Sequence, residues 1–259
     1  MLKSFLKNTR LWILICNSDR YQKIKMPVEY KKHMEEVNFY SELLNNINYK
    51  NDLIFDVGAN IGQKCAIFSS ISKKVIAFEP SEKPFTYLKK RFKNRDVELF
   101  NCALGGEVSS SEFYEIKDNN AYNSLSKKHI ETTVTNREIS NIGLVTRRKV
   151  NVETLENFIA KFGVPIYIKI DVEGYEFEVI KGLKTPVPLI SFEANLPEFC
   201  NESISIIEYL SKISLNKYQF NFTADNLFLL QRFVNKEDAI KFLLETKHNY
   251  LEIYAKLVL

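Results

Sequence analysis

Only four cysteines occur in the 259 residues, and no two of them are close in sequence. Cys16, Cys65, Cys102 and Cys200 form no CxxC pair, which excludes the short-spaced zinc and dithiol patterns. Cys65 and Cys102 fall in apolar stretches, where cysteine serves as a small core residue. The reading is a reduced, cytoplasmic chain. Histidine is equally scarce. His33, His129 and His248 are scattered, and a surface position is the expectation for His129. Long apolar runs are missing too. The run Leu11–Cys16 (LWILIC) is far shorter than the ~20 residues of a membrane span or the ~7–15 of a signal core. No small-x-small cleavage pattern follows it, so secretion is not expected. Internal repeats and low-complexity tracts are absent.

The chain is 45% hydrophobic, enough for a sizeable core, and its formal net charge of +4 is too slight to name a polyanionic partner. The charge is uneven, however. Residues 1–32 hold eight Lys/Arg against Asp19 and Glu29, so the remainder is slightly acidic. A solvated tail is the simplest reading of that arm. Peripheral membrane attachment through Trp12 and its basic flanks stays open.

Residues 1–50 read as a basic, partly helical extension, with a helix over Tyr30–Asn46 that places Val37, Tyr40, Leu43, Leu44 and Ile47 on one face. From residue 51 to 259 the expectation is one α/β domain. Short β-branched and aromatic runs at Leu53–Val57, Val75–Phe78, Val97–Asn101, Ile166–Asp171 and Leu189–Glu193 alternate with helical patterns at Gly62–Ser72, Glu82–Phe92 and Tyr175–Lys181. That alternation predicts a mostly parallel sheet with helices on both faces. An insertion of about 103–150 breaks the rhythm, with strands expected at Glu112–Ile116 and Arg147–Val152 around a polar run, Lys117–Asn123. Such insertions often bind substrate. In the tail, a helix near Ser203–Ile213 precedes Tyr218–Phe222 and Leu227–Leu230, read as an antiparallel edge, and a last helix at Lys236–Lys247.

The segment DVGANIG, Asp56–Gly62, follows an apolar strand and opens a helix. Ligands of open α/β sheets bind beyond the carboxyl ends of the strands, where strand order reverses. Gly58 and Gly62 allow close backbone approach, Asn60 is placed to cap the helix with Gln63 as its partner, and Asp56 offers a carboxylate to a ligand ammonium. The dinucleotide fingerprint G-x-G-x-x-G is not met, because Asn60 replaces its middle glycine. A pyrophosphate needs that close approach, whereas an amino-acid nucleoside does not. Glu79, in AFEP, lies 21 residues after Gly58, the spacing of an acid that binds a ribose diol.

Together with NCALG (Asn101–Gly105) and KIDVEGYEFEVIKG (Lys169–Gly182), these motifs resemble the FkbM-type methyltransferases over about residues 53–195. The resemblance implies a Rossmann-like class I methyltransferase domain that uses S-adenosylmethionine and methylates hydroxyl groups of glycans or small natural products. It implies that Asp56, Gly58, Asn60 and Gly62 line the methionine end. It also implies that Glu79 holds the ribose, that Cys102 and Ala103 lie near adenine, and that Asp171 stands beside the transferred methyl.

Methyl transfer to a hydroxyl needs in-line alignment and a group to take the proton. Asp171, Glu173 and Glu176 cluster after the fourth strand. Asp171 is assigned to shaping the site and holding the donor, Glu173 to the acceptor-side base, and Glu176 to the helix dipole. Asp171 and Glu173 could instead share a divalent ion, whose hard character suits carboxylate oxygens, but no third ligand is evident in the sequence and none is assigned. Glu193 and Asn195 are expected to face the cleft, and Asn123 and Ser124 to contact donor or acceptor. An NAD-linked oxidoreductase is the alternative, weakened by Asn60 and by the lack of a Tyr-x-x-x-Lys pair. A non-catalytic binding protein is a second, opposed by the intact Asp171–Glu173 segment. A nucleic-acid partner is not expected, because the Asn/Asp-Pro-Pro-Tyr motif and an interleaved basic and aromatic groove are both missing.

Overall fold

Leu53–Val57 (β1) is buried at all five positions, as a strand between two helix layers must be. It sits inside a sheet of order β10 (Leu227–Phe228), β9 (Tyr218–Ala224), β11 (Tyr250–Leu257), β8 (Leu189–Asn195), β7 (Tyr167–Ile170), β1, β2 (Lys74–Phe78) and β3 (Val97–Phe100). Its parallel part comprises β2 (Lys74–Phe78), β3 (Val97–Phe100), β7 (Tyr167–Ile170) and β8 (Leu189–Asn195) with β1. The computed structural model describes residues 9–47, 49, 52–93, 95–116, 120–136 and 145–258.

Alternate positions of each strand feed two cores. Phe55, Phe78, Ile168, Ile170 and Phe192 pack against α7 (Leu155–Phe162), α8 (Glu176–Lys181), α9 (Cys200–Ile213) and α10 (Lys236–Glu245). Ile54, Ala77, Tyr167 and Leu189 pack on the opposite face. There they meet α3 (Pro27–Asn45), α4 (Gln63–Ile71) and α5 (Glu82–Arg91). Tyr40 of α3 is fully buried between Phe68 and Tyr167, so this helix of the N-terminal extension completes the second core. Two shorter helices precede it, α1 (Arg10–Cys16) and α2 (Asp19–Lys25).

The antiparallel edge is built differently from the expectation. Tyr218–Ala224 (β9) and Leu227–Phe228 (β10) pair as a hairpin, but Tyr250–Leu257 (β11) inserts between β9 and β8. β11 escaped the sequence reading, as did α7. The signals were present. Leu251, Ile253 and Ala255 alternate toward the core, and α7 runs from a Thr154 cap that accepts from Asn157 N to Gly163 at φ +90°.

The insertion forms its own three-stranded sheet. β6 (Val145–Glu153) lies between β4 (Ala103–Leu104) and β5 (Ser109–Ile116), followed in space by a 3₁₀ turn (Asn120–Tyr122) and α6 (Lys127–Asn136). Residues 117–119 of the expected polar run, and Lys3 and Lys7 of the basic arm, lie outside the described residues.

The register fixes the site. Val57 pairs with Phe78 on one side and with Ile170 on the other. The residues that follow these three, Gly58, Glu79 and Asp171, therefore leave the sheet side by side at its carboxyl edge. Strand order reverses between β1 and β7, which is where open α/β sheets leave a crevice.

Candidate methyl-donor site

A cleft of about 180 Å³ opens at this point. Its floor is Gly58, Asn60 and Glu79, its apolar wall includes Phe78, Cys102, Ala103, Leu104 and Phe113, and its far side carries Asp171, Glu173 and Tyr175. Three carboxylates line it, and among the described lining residues there is no lysine or arginine.

Gly58 has φ +85°, and a Cβ there would fall 1.7 Å from the Asp171 carbonyl oxygen. No side chain fits between the ends of β1 and β7, so glycine is obligatory. Asn60 is left-handed as well, at φ +47°. That turn aims its backbone N–H at Glu79 Oε2, 2.8 Å away, while Ser81 N donates to Oε1 at 2.7 Å. Glu79 is thus fixed at both oxygens and keeps further lone pairs. Burial pushes its carboxyl up to about 7, against these two donors, which pull the other way.

Three sequence expectations are corrected here. Asn60 does not cap α4: the cap position is Gly62, at φ +77°, with no side-chain cap bond. Gly62 does not face the cleft either, since a Cβ on it would strike Phe92 and Leu88 of α5. Asp56 is buried under the sheet and accepts from the Cys65 thiol at 2.9 Å. The cause is strand parity. Asp56 shares its face with Ile54, toward α4, whereas the cleft lies beyond the strand end. Burial raises the Asp56 carboxyl, opposed by Lys169 and the Cys65 hydrogen bond. Cys102, Ala103, Gly58, Asn60, Glu79, Asp171 and Glu173 do line the cleft.

The loop after β7 is unusually constrained. Glu173 and Gly174 are both left-handed, at φ +55° and +84°. A glutamate held so is strained, and strain of this kind collects at functional turns. Glu176 holds the turn rather than serving the helix dipole alone. It is buried, and its Oε1 accepts from Val172 N and Gly174 N, both at 3.2 Å. Burial pushes its carboxyl up to about 7, although these backbone donors oppose the rise. From outside, Ser124 donates to the Glu173 carbonyl oxygen at 2.7 Å. Asn123 lines the cleft, donates to Ser81 Oγ and accepts from Ile116 N.

His129 is not at the surface. It is 6% exposed, packs on Gly174 and Phe199, and brings Nε2 to 3.4 Å from Glu173 Oε2. Burial pulls its imidazole down to about 4, so at neutral pH the ring is uncharged and the pair is not an ion pair. Its position comes from α6, whose first turn is held by Ser126 Oγ accepting from His129 N. Lys128, on the same helix, bonds the Glu198 carbonyl and the Glu202 carboxylate of α9.

Lys169, within the motif KIDVEGYEFEVIKG, is 2% exposed and donates to Asp171 Oδ2 at 2.7 Å. Burial pulls its ammonium down, but Asp171, Glu193, Glu252 and Asp56 together hold it well above its ordinary value. The signal was a lone lysine within the apolar strand YIKI. Glu193 joins Asp171 and Glu173 so that one oxygen of each lies within 4.8 Å of the others. Its Oε1 accepts from Tyr250 Oη at 2.6 Å, and burial, reinforced by Asp171, drives its carboxyl well up. The fold thus brings Glu193, expected at the cleft, up against the other two carboxylates.

Residues 56–228, about two thirds of the chain, match the family described as Methyltransferase FkbM domain. The chain is 29% identical over 143 residues to the hexuronic acid methyltransferase AglP of Haloferax volcanii, an overlap of 55% of this chain and 54% of that protein. The chain therefore spans about half the length of this curated relative. Among solved structures it is similar to an rRNA methylase of Streptococcus thermophilus, with 10% identity over 87% of this chain and 95% of that one at a TM-score of 0.45. It is also similar to the plantazolicin methyltransferase BpumL in complex with SAH, with 10% identity over 99% of both chains at a TM-score of 0.43.

Proposed function

The chain belongs to the FkbM methyltransferase family, and from that premise we propose that it transfers the methyl group of S-adenosylmethionine to a hydroxyl oxygen of a sugar. Class I architecture and the methyl donor come with the family. The sugar is supported by the likeness to a hexuronic acid methyltransferase. The observation that carries the donor assignment is the charge of the cleft: Glu79, Asp171 and Glu173 line it without a described basic residue. Such a wall suits a cationic ligand and opposes a pyrophosphate, which disfavours the NAD-linked alternative.

Bound in the cleft, S-adenosylmethionine supplies an electrophilic methyl on a positively charged sulfur. Glu79 would hold the ribose hydroxyls, because its carboxylate is already oriented by Asn60 and Ser81. The apolar Cys102–Ala103 wall would take adenine. Asp171, locked by Lys169, would border the methionine end. Glu173 would accept the acceptor's proton at its carboxylate, and His129 is a positioning residue that sets the rotamer of that side chain from behind. The insertion would cover the acceptor, since Ser124 and His129 both bind the Glu173 turn.

Calorimetry with the purified chain tests the donor. S-adenosylmethionine and S-adenosylhomocysteine should bind and raise the thermal midpoint while NAD does neither; tight NAD binding with none for the sulfonium compound would overturn the reading. For the acceptor, the chain is incubated with labelled donor and a panel of neutral and uronic-acid saccharides. Methyl ethers on saccharide hydroxyls are expected. Label found only in methyl esters, methylamines or nucleic acid would remove the hydroxyl from the proposal.

A further inference from the structure

Helix α1 is apolar on both of its sides, and only one is used. Ile13 is buried at 3% exposure, and Asn17 just beyond the helix donates to Tyr87 Oη at 3.0 Å, which fastens the helix to α5. Arg10 adds a bond to the Lys93 carbonyl. Opposite this seam lie Leu11, Leu14 and Ile15, at the i, i+3, i+4 spacing of one helix face, with Trp12 at its flank. Leu11 is 69% exposed, Ile15 41%, and Trp12 and Leu14 37% each. Trp12 meets Tyr21 of α2 edge-on, and Ile24, Met26 and Val28, on α2 and just after it, are exposed as well.

Around this face basic residues outnumber the acidic Asp19 and Asp96. Arg20, Lys23 and Lys25 are exposed on α2, and Lys89, Lys93 and Arg95 are exposed on and just after the helix to which α1 is fastened. Scattered exposed leucines need no explanation, but an apolar helix face bordered by lysine and arginine has a specific physical complement. Acyl chains take the apolar side chains, and anionic headgroups take the cations. No helix among the described residues is long and apolar enough to cross a membrane, so the contact would be peripheral.

We propose that the face formed by α1, α2 and the end of α5 docks on an anionic lipid bilayer, with Leu11, Trp12, Leu14 and Ile15 at the acyl boundary. This goes beyond the methyl-transfer reading and does not rest on it.

The chain's single tryptophan, Trp12, sits in this face and reports on it directly. The full chain is titrated with vesicles of phosphatidylglycerol and phosphatidylcholine, or of phosphatidylcholine alone, with tryptophan emission and co-sedimentation as readouts. With anionic vesicles, a blue shift and pelleting are expected, weakened at least about tenfold by raising salt from roughly 0.05 to 0.5 M. The double variant Leu11→Asp/Ile15→Asp should lose pelleting and keep its thermal midpoint and donor affinity, because both side chains are exposed. Unchanged emission and protein left in the supernatant with anionic vesicles would overturn the proposal. Equal binding to pure phosphatidylcholine would overturn its electrostatic half. A dimer in sedimentation velocity that the double variant abolishes, without vesicle binding, would assign the face to a second copy of the chain.

Discussion

The imidazole of His129, carried on the insertion, stands 3.4 Å from the carboxylate of Glu173, carried on the turn after β7. The contact ties the part of the chain that interrupts the α/β pattern to the residue assigned to take the acceptor's proton. Contacts of this length commonly tighten when substrate binds. A neutral ring donating through Nε2 would favour the charged carboxylate and fix its rotamer.

His129→Ala should therefore lower kcat by about tenfold or more while donor affinity stays within about twofold. The acid limb of the kcat/KM profile should move to higher pH, because a carboxylate that loses a donor holds its proton more tightly. His129→Gln, which keeps a donor, should recover part of both effects. A packing defect alone would lower the thermal midpoint without moving the limb, so an unmoved limb would reduce His129 to a core residue.

Glu79 makes donor binding pH-dependent. Burial pushes its carboxyl up to about 7 in the free protein, against an ordinary value of about 4.3. The ribose hydroxyls need the ionised form, so below pH 7 binding must first remove a proton. Donor affinity should then fall as pH drops through 7, by up to about tenfold per unit, and level off above it. Calorimetry in buffers of different ionisation heat should show proton release near pH 6.5. Glu79→Gln should bind the donor more weakly, by about 1.5–3 kcal/mol at pH 8, and with a flatter pH dependence. Glu176, also pushed up to about 7, remains in that variant and serves as the internal control.

What the sequence made legible follows from the range of each signal. The strands around the cleft are short apolar runs closed by turns, and Gly58 with Glu79 is a local pair at a known spacing, so their place at the cleft could be read from the chain. Asp56 failed because its strand parity, shared with Ile54, sends it beneath the sheet to Cys65. Gly62 failed because an obligatory glycine does not reveal what crowds it, here Phe92 and Leu88. Glu193 was expected near the cleft from its strand, but its approach to Asp171 and Glu173, like the pairings of His129 and Lys169, joins distant segments, which composition and periodicity do not encode. The same holds for β11, whose place between β8 and β9 is decided by the sheet.

Acceptor choice should travel with the insertion. Asn123 and Leu125 line the cleft, Ser124 holds the Glu173 carbonyl, and α6 bridges to α9 through Lys128. Replacing residues 106–149 by those of a family member with a different acceptor should change which saccharide is methylated and leave donor affinity within about threefold. Product profiling by mass spectrometry decides it. If the profile stays the same, the region around Phe199 and Tyr250 becomes the better candidate for acceptor recognition.

The last prediction separates a proton acceptor from a metal ligand. Asp171, Glu173 and Glu193 approach one another closely enough to raise the question of a divalent ion. Two of the three already have strong partners, however. Asp171 accepts from Lys169 at 2.7 Å, and Glu193 accepts from Tyr250 at 2.6 Å. An ion would have to displace or share these bonds, and Lys169 would place a second positive charge beside it. Activity should therefore survive EDTA and gain nothing from added Mg²⁺. Glu173→Gln keeps the shape of the side chain but cannot accept a proton, so kcat should fall about 10²–10⁴-fold with donor affinity nearly unchanged. If EDTA abolishes activity and Mg²⁺ restores it, the three carboxylates are ligands and Lys169 serves to limit their charge. A fully active Glu173→Gln enzyme that is also indifferent to EDTA would mean that alignment alone carries the reaction.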